Sequence, residues 1–318
     1  MTINQHLGEL YGLPAFDFPD AEAEVELPEP DAVAWRIAGD VYDAEEEWTD
    51  AFARFLATVH TTRVRALIVG AWTDAYETDS SAATAALLAA RDRLPALRAL
   101  FLGDLVMEEA ELSWIQQSDV TGLLTGFPEL VEFGVRGGTG LEFHALTHSA
   151  LSKLVVETGG LPAEVVRGVG GSDLPALEHL ELWLGDSSYG ADSEVSDLEP
   201  ILSGARLPRL RHLGLRNSEI QDAIAAAVAA APVVDRLRTL DLSMGTLGDE
   251  GAAALLAGRP LTHLDFLDLH HNYFTEPLRQ RLRDTLEPAG VRLDLNDDDA
   301  DSYEDKDGTV QRFVAIGE

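Results

Sequence analysis

Six stretches of this chain can be laid over one another: LPALRALFLGD from Leu94, FPELVEFGVRG from Phe127, HSALSKLVVET from His148, LPALEHLELWL from Leu174, LPRLRHLGLRN from Leu207 and LTHLDFLDLHH from Leu261. A seventh, LRTLDLSMGTLGDEGAAALL, begins at Leu237. Each holds apolar residues at the first, fourth and sixth places of a short strand, a spacing that belongs to neither one helix nor one long strand. VRALIVG from Val64 fits the series, VAWRIAG from Val33 fits it loosely and VRLDL from Val291 closes it, which makes about ten strands. From Val64 to the last full unit the step varies from 21 to 33 residues, room for one strand and one return segment.

The returns are legible as well. GDEGAAALLAG after Leu247 opens with acids and closes with glycine, the polarity of a helix start and stop. QDAIAAAVAAAP after Leu215 and SSAATAALLAARDRLP after Val69 are alanine-rich helices ended by Pro232 and Pro95. Strand and helix alternate at too short a period for a doubly wound domain. The expected fold is therefore α/β, with consecutive parallel strands side by side in a curved sheet and helices on its convex side.

LxxLxL followed by LGDEGAAALL, carried by Leu237, Leu240, Leu242, Leu247, Gly248, Asp249, Gly251, Leu255 and Leu256, resembles leucine-rich repeats of the ribonuclease-inhibitor type, over roughly residues 60 to 295. That resemblance implies a leucine-rich-repeat solenoid. The chain departs from the type in its uneven period and in its asparagines, which stand only at Asn272 and, one place early, at Asn217, so a continuous asparagine ladder is not expected. The whole chain also resembles a family of uncharacterised bacterial leucine-rich-repeat proteins. What that second resemblance implies is a protein partner, of the radical S-adenosylmethionine or ATP-grasp-like kind, rather than an activity.

Charge narrows the ligand. Lys plus Arg number 23 against 56 Asp plus Glu, a net charge of −33, and Lys153 and Lys306 are the only lysines. Such a chain repels phosphate backbones and anionic lipid surfaces, which argues against nucleic acid and membrane as partners. A basic protein or peptide would be attracted, although acidity also serves solubility. There is no cysteine, and the start MTINQHLGELYGLPAFDFPD lacks a basic region followed by an apolar core, so the expected location is cytoplasmic.

Three regions follow: an N-terminal arm or cap at 1–30, the repeat array at 31–295, and an acidic C-terminal tail at 296–318. In the tail, an Asp307 and Gly308 turn before TVQRFVAI suggests a capping hairpin. Side chains alternate across a strand, so the residues between the leucines face the concave surface. The concave-face candidates are Arg136, Glu157, Trp183, Arg216, Asp241, Asp268 and His270; Arg and Trp are the types that dominate binding hot spots. A second candidate is the loop edge formed by 71–79, 105–117 and 185–197, rimmed by Trp72, Tyr76, Trp114 and Tyr189.

Signs of chemistry are thin. His270 and His271 are adjacent and point to opposite faces, and HALTH at 144–148 sets two histidines at helical spacing without the glutamate of a metalloprotease. RGGTG at 136–140 has no GK[ST], no GxSxG occurs, and the acidic tail fails the EF-hand spacing. No catalytic residue, metal site or cofactor is expected. The reading is a non-catalytic repeat scaffold that binds a protein or peptide on its concave face. The alternative is an enzyme, or the regulatory subunit of a modifying system, with its site at the loop edge.

Overall fold

The computed structural model describes residues 2–41, 46–298, 300, 302–304, 306 and 310–317. Glu9–Leu10 (β1) and Leu13–Asp17 (β2) form an antiparallel hairpin. Ten strands follow: Ala34–Ile37 (β3), Ala66–Val69 (β4), Ala99–Leu102 (β5), Glu132–Arg136 (β6), Lys153–Glu157 (β7), His179–Gly185 (β8), His212–Ser218 (β9), Thr239–Asp241 (β10), Phe266–Asp268 (β11) and Arg292–Asp294 (β12). They line up in chain order, β1 to β12, in one open sheet that is parallel from β2 onward. The sheet has twelve strands where the repeats account for ten, because the N-terminal arm adds β1 and β2 to it.

One row of side chains explains why the repeats stack. Register places Phe16, Trp35, Leu67, Leu100, Phe133, Leu154, Leu180, Leu213, Leu240, Leu267 and Leu293 side by side from β2 to β12. This is the second leucine of each unit, and from Trp35 to Leu267 it lies in the main core, at most 1% exposed. Burying one such leucine contributes about 1.5–3 kcal/mol.

Helices cover that face: Trp48–Thr58 (α1), Ser81–Ala89 (α2), Thr121–Gly126 (α3), Ala163–Gly171 (α4), Glu199–Ser203 (α5), Gln221–Ala230 (α6), Asp249–Ala257 (α7) and Glu276–Leu286 (α8). Their small residues let them sit close; a Cβ on Gly168 would lie 1.8 Å from the Phe143 carbonyl oxygen. The return from β6 to β7 is different. Residues 137–152 carry no helix, so the two histidines of HALTH do not share a helix face: His144 is exposed, while His148 is buried with its ring against the Phe127 carbonyl at 3.3 Å. Among the described residues no helix is long and apolar enough to cross a membrane.

The first repeat is closed by aromatics. Phe16 and Phe18 of the arm meet Trp35 edge-on, with centroids 5.5 and 6.2 Å away, and Phe18 reaches Phe55 of α1 at 5.3 Å. The arm also crosses to the sheet face opposite the helices, here the open face. There Leu10 joins Ala34, Ala66, Ile68, Ala99 and Phe101 in a second apolar cluster, with Leu7, Tyr11, Leu13 and Ala15 packed against it. The front half of the open face is thus covered from within.

The tail covers part of the back half. Ser302–Glu304 (β13) pairs antiparallel with Val310–Arg312 (β14); the Asp307 and Gly308 turn lies outside the described residues. Beyond β14 the chain turns back across the carboxyl ends of the strands. The Phe313 carbonyl accepts from the Tyr273 hydroxyl at 2.8 Å, Ala315 N donates to Met244 O at 2.7 Å, and Ile316 meets Asn217. The Gly317 carbonyl accepts from the Ser113 hydroxyl. Ala315 and Ile316 pack with Leu112, Trp183 and Met244, and Ile3 of the arm packs against the same cluster.

Candidate functional site

Alternation along β8 and β9 sets His179, Glu181 and Trp183, and beside them His212, Gly214 and Arg216, on the open face. Register continues the middle row from Glu181 through Gly214 to Asp241, Asp268 and Asp294. Gly214 leaves room there, since a Cβ would sit 3.0 Å from Glu181 Cγ. Its absence lets the Glu181 side chain lean across β9.

Arg216 is the centre of this surface. It donates from Nη1 to Glu181 Oε1 at 2.6 Å and from Nε to the Ser243 hydroxyl at 3.1 Å, and Nε lies 3.2 Å from Asp241 Oδ2. Its guanidinium stands over the Trp183 ring, 5.2 Å from the centroid, and Trp183 Nε1 donates to the same Glu181 oxygen at 2.7 Å. Burial acts against the charge on Arg216, but Asp241 and Glu181 outweigh it and hold the guanidinium more firmly protonated than usual. Burial likewise opposes the charge of Glu181, and is outweighed by His179 and Arg216, so this carboxyl is held well below the usual range.

Asp241 goes the other way. Burial pushes its carboxyl up to about 6, with Asp268 adding to the rise and Arg216 opposing it. Asp268 accepts from His270 Nδ1 at 2.7 Å, a hydrogen bond that raises the imidazole above its ordinary value. Three carboxylates, Asp241, Asp268 and Asp294, therefore stand on adjacent strands at one level of the open face.

The sequence candidates divide accordingly. Arg216, Asp241, Asp268 and His270 come together with Trp183. Trp183, however, is only 8% exposed, because Ala315 and Ile316 lie on it. Arg136 is 3% exposed: its Nε donates to Glu157 at 2.8 Å, and its Nη1 to Asp104 at 3.2 Å and to the Leu105 carbonyl at 2.7 Å. The array places it on the open face as expected, but paired inward rather than presented. Burial pushes its partner Glu157 up, against the pull of Arg136.

The loop-edge aromatics do not form one rim. Trp72 turns into the core and donates from Nε1 to the Thr78 carbonyl at 2.8 Å, whereas Trp114 is 54% exposed. Tyr76 is exposed near Asp74, and Tyr189 lies half-buried beside Gly160 and Gly317. Between loops 105–117 and 185–197 sits the end of the described tail, at Gly317.

Sequence reasoning missed His179 and His212. They occupy the same place in LPALEHLELWL and LPRLRHLGLRN, immediately before the core leucine, and β8 and β9 pair them directly. Repeat alignment carried that signal, since equal places in neighbouring units become neighbours in the sheet. With Glu181 they make one of three groups of His and carboxylate side chains close enough to share an ion among the described residues. The others are Asp268, His270 and Asp294, and the exposed Asp119, Glu142 and His144.

No family model matches the chain, and no curated protein matches it. Among solved structures it is similar to a protein of Bacteroides fragilis determined as a structural-genomics target, with 29% identity and a TM-score of 0.73 over 79% of this chain and 70% of that one. An internalin of Listeria monocytogenes aligns at 15% identity and a TM-score of 0.36, over 74% of this chain and 54% of its own.

Proposed function

We propose that this chain is a leucine-rich-repeat solenoid that binds, without catalysis, a positively charged protein or peptide segment on the open face of β8–β12. The leucine row in unbroken register supports the repeat reading. The observation that carries the function is the row of Asp241, Asp268 and Asp294 beside Glu181, where Arg216 is already committed to Glu181 and Asp241 and Arg292 stacks on Phe266. Burial, with repulsion from Asp268 added to it, raises the Asp241 carboxyl, and an incoming Arg or Lys favours its charged form. Bidentate pairing favours Arg. The radical S-adenosylmethionine and ATP-grasp-like proteins implied by the family resemblance are the partners to test first.

The test is a fluorescence-anisotropy titration with an arginine-rich peptide at low and physiological salt, using the protein and its Asp268→Asn/Asp294→Asn variant. Binding that weakens with salt, and weakens about tenfold or more in the variant, matches loss of a central charged contact. Equal affinity in both proteins would remove the acidic row from the reading.

A further inference from the structure

We infer that His179, Glu181 and His212 form a site for one divalent transition-metal ion of the zinc class. This site borders the acidic row at Glu181, whose Oε1 faces Arg216, but rests on the other oxygen, Oε2, and on two histidines outside the row.

Parallel pairing sets His179 against His212, with ring centroids 3.7 Å apart and planes 9° from parallel. Nε2 of each ring is shut off from solvent, and neither makes a hydrogen bond of ordinary length. Each faces the same atom, Glu181 Oε2, at 3.5 Å from His179 and 3.9 Å from His212. Two buried nitrogens sharing one carboxylate oxygen at long range are poorly satisfied unless something bridges all three.

An ion fits the spacing. Donors at about 2.0–2.2 Å from a tetrahedral ion lie roughly 3.4 Å from one another. The two nitrogen-to-oxygen distances are already near that value, and all three donor atoms lie within 4.8 Å of one another. Two imidazoles and a carboxylate select zinc, cobalt or nickel over calcium and magnesium, which prefer all-oxygen shells. The backbone supports the set too: two donors are two residues apart on one strand, and the third is level with the first on the next.

The surroundings hold the carboxylate for this purpose. Trp183 and Arg216 both donate to Glu181 Oε1, which turns Oε2 to the histidines, the kind of outer contact that orients a metal ligand. Arg216 and Lys153, which is level with His179 on β7, act against a cation, while Asp241 on the next strand beyond Gly214 favours one.

The experiment titrates chelator-treated full-length protein with Co2+, followed by visible absorption, then displaces it with Zn2+. The expected result is one equivalent bound with the intense band of a low-coordinate site. His179→Gln and His212→Gln should each weaken binding at least about 100-fold, beyond the loss typical of residues that only orient a ligand. Circular dichroism of the metal-free variants should match the wild type. Nitrogen NMR of the wild-type imidazoles reads the same question without substitution: Zn2+ should shift two Nε2 signals together. Absence of a cobalt band, or binding that both variants retain, overturns the site; retained binding would place the ion elsewhere, as on Asp119, Glu142 and His144.

Discussion

Asn217 grips the backbone of Ile316 with both of its polar groups: its Nδ2 donates to the Ile316 carbonyl at 2.6 Å, and its Oδ1 accepts the Ile316 amide at 3.0 Å. Asn217 is fully buried and has φ +55°, a left-handed conformation that asparagine tolerates better than most residues. The pairing copies a strand contact with a side chain and fastens the tail over Trp183.

Asn217→Ala therefore loses both hydrogen bonds and keeps the unfavourable φ, at a cost of about 2–4 kcal/mol. Tryptophan quenching by acrylamide should rise in this variant and in one lacking residues 310–318, and the rise should disappear when Trp183 is also replaced by Phe. Unchanged quenching would mean that the tail does not shield that ring in solution.

Asp104 is fully buried and accepts from Arg36 Nε at 3.0 Å, Arg136 Nη1 at 3.2 Å and the amide of Leu7 at 3.1 Å. It ties β3, β6 and the arm to the end of β5. Asp104→Ala removes the carboxylate that two buried guanidinium groups share, although Arg36 keeps Asp17 and Arg136 keeps Glu157, and should cost about 1.5–3 kcal/mol by urea denaturation. An effect below 1 kcal/mol would show that water reaches the arginines.

Asp241 predicts a pH trend. Its folded-state value, about 6, lies above its ordinary 3.8, so the folded state takes up the proton first as pH falls. Stability from this group is gained between those values on acidification and lost as pH rises through 6. Asp241→Asn, a neutral mimic, should be more stable than wild type at pH 7.5, on the order of 1 kcal/mol, with the difference shrinking by pH 5. Denaturation curves at the two pH values check the sign.

Leu242, 1% exposed in the main core, tests the wall itself. Leu242→Ala should cost about 2–5 kcal/mol whatever the face binds. A thermal melt that barely moves would contradict the packing of that repeat.

Reading the sequence found all ten repeat strands, because the buried leucine recurs at one place and a wrong register would expose every copy. It also found which residues face away from the helices, since alternation fixes that. Availability was not legible. Trp183 and Arg136 were on the expected face, yet one is roofed by Ile316 and the other is committed to Asp104, and both partners come from elsewhere in the chain. Twelve strands instead of ten has the same origin: nothing periodic announces that Leu13–Asp17 will extend the sheet. The His179 and His212 pair was readable in principle, but only by comparing units column by column rather than seeking a contiguous motif.

A row of repeats ordinarily communicates only between neighbours, so its ends peel away first and unfolding can stop partway. Ile3 and Ile316, from opposite ends of the row, share one apolar cluster with Trp183 in the middle, and the Met107 amide donates to Ile3 O at 2.9 Å. The row is thereby tied into a circuit. Peeling either end is expected to disturb the centre as well, which predicts sharper unfolding than a linear row without that link would show.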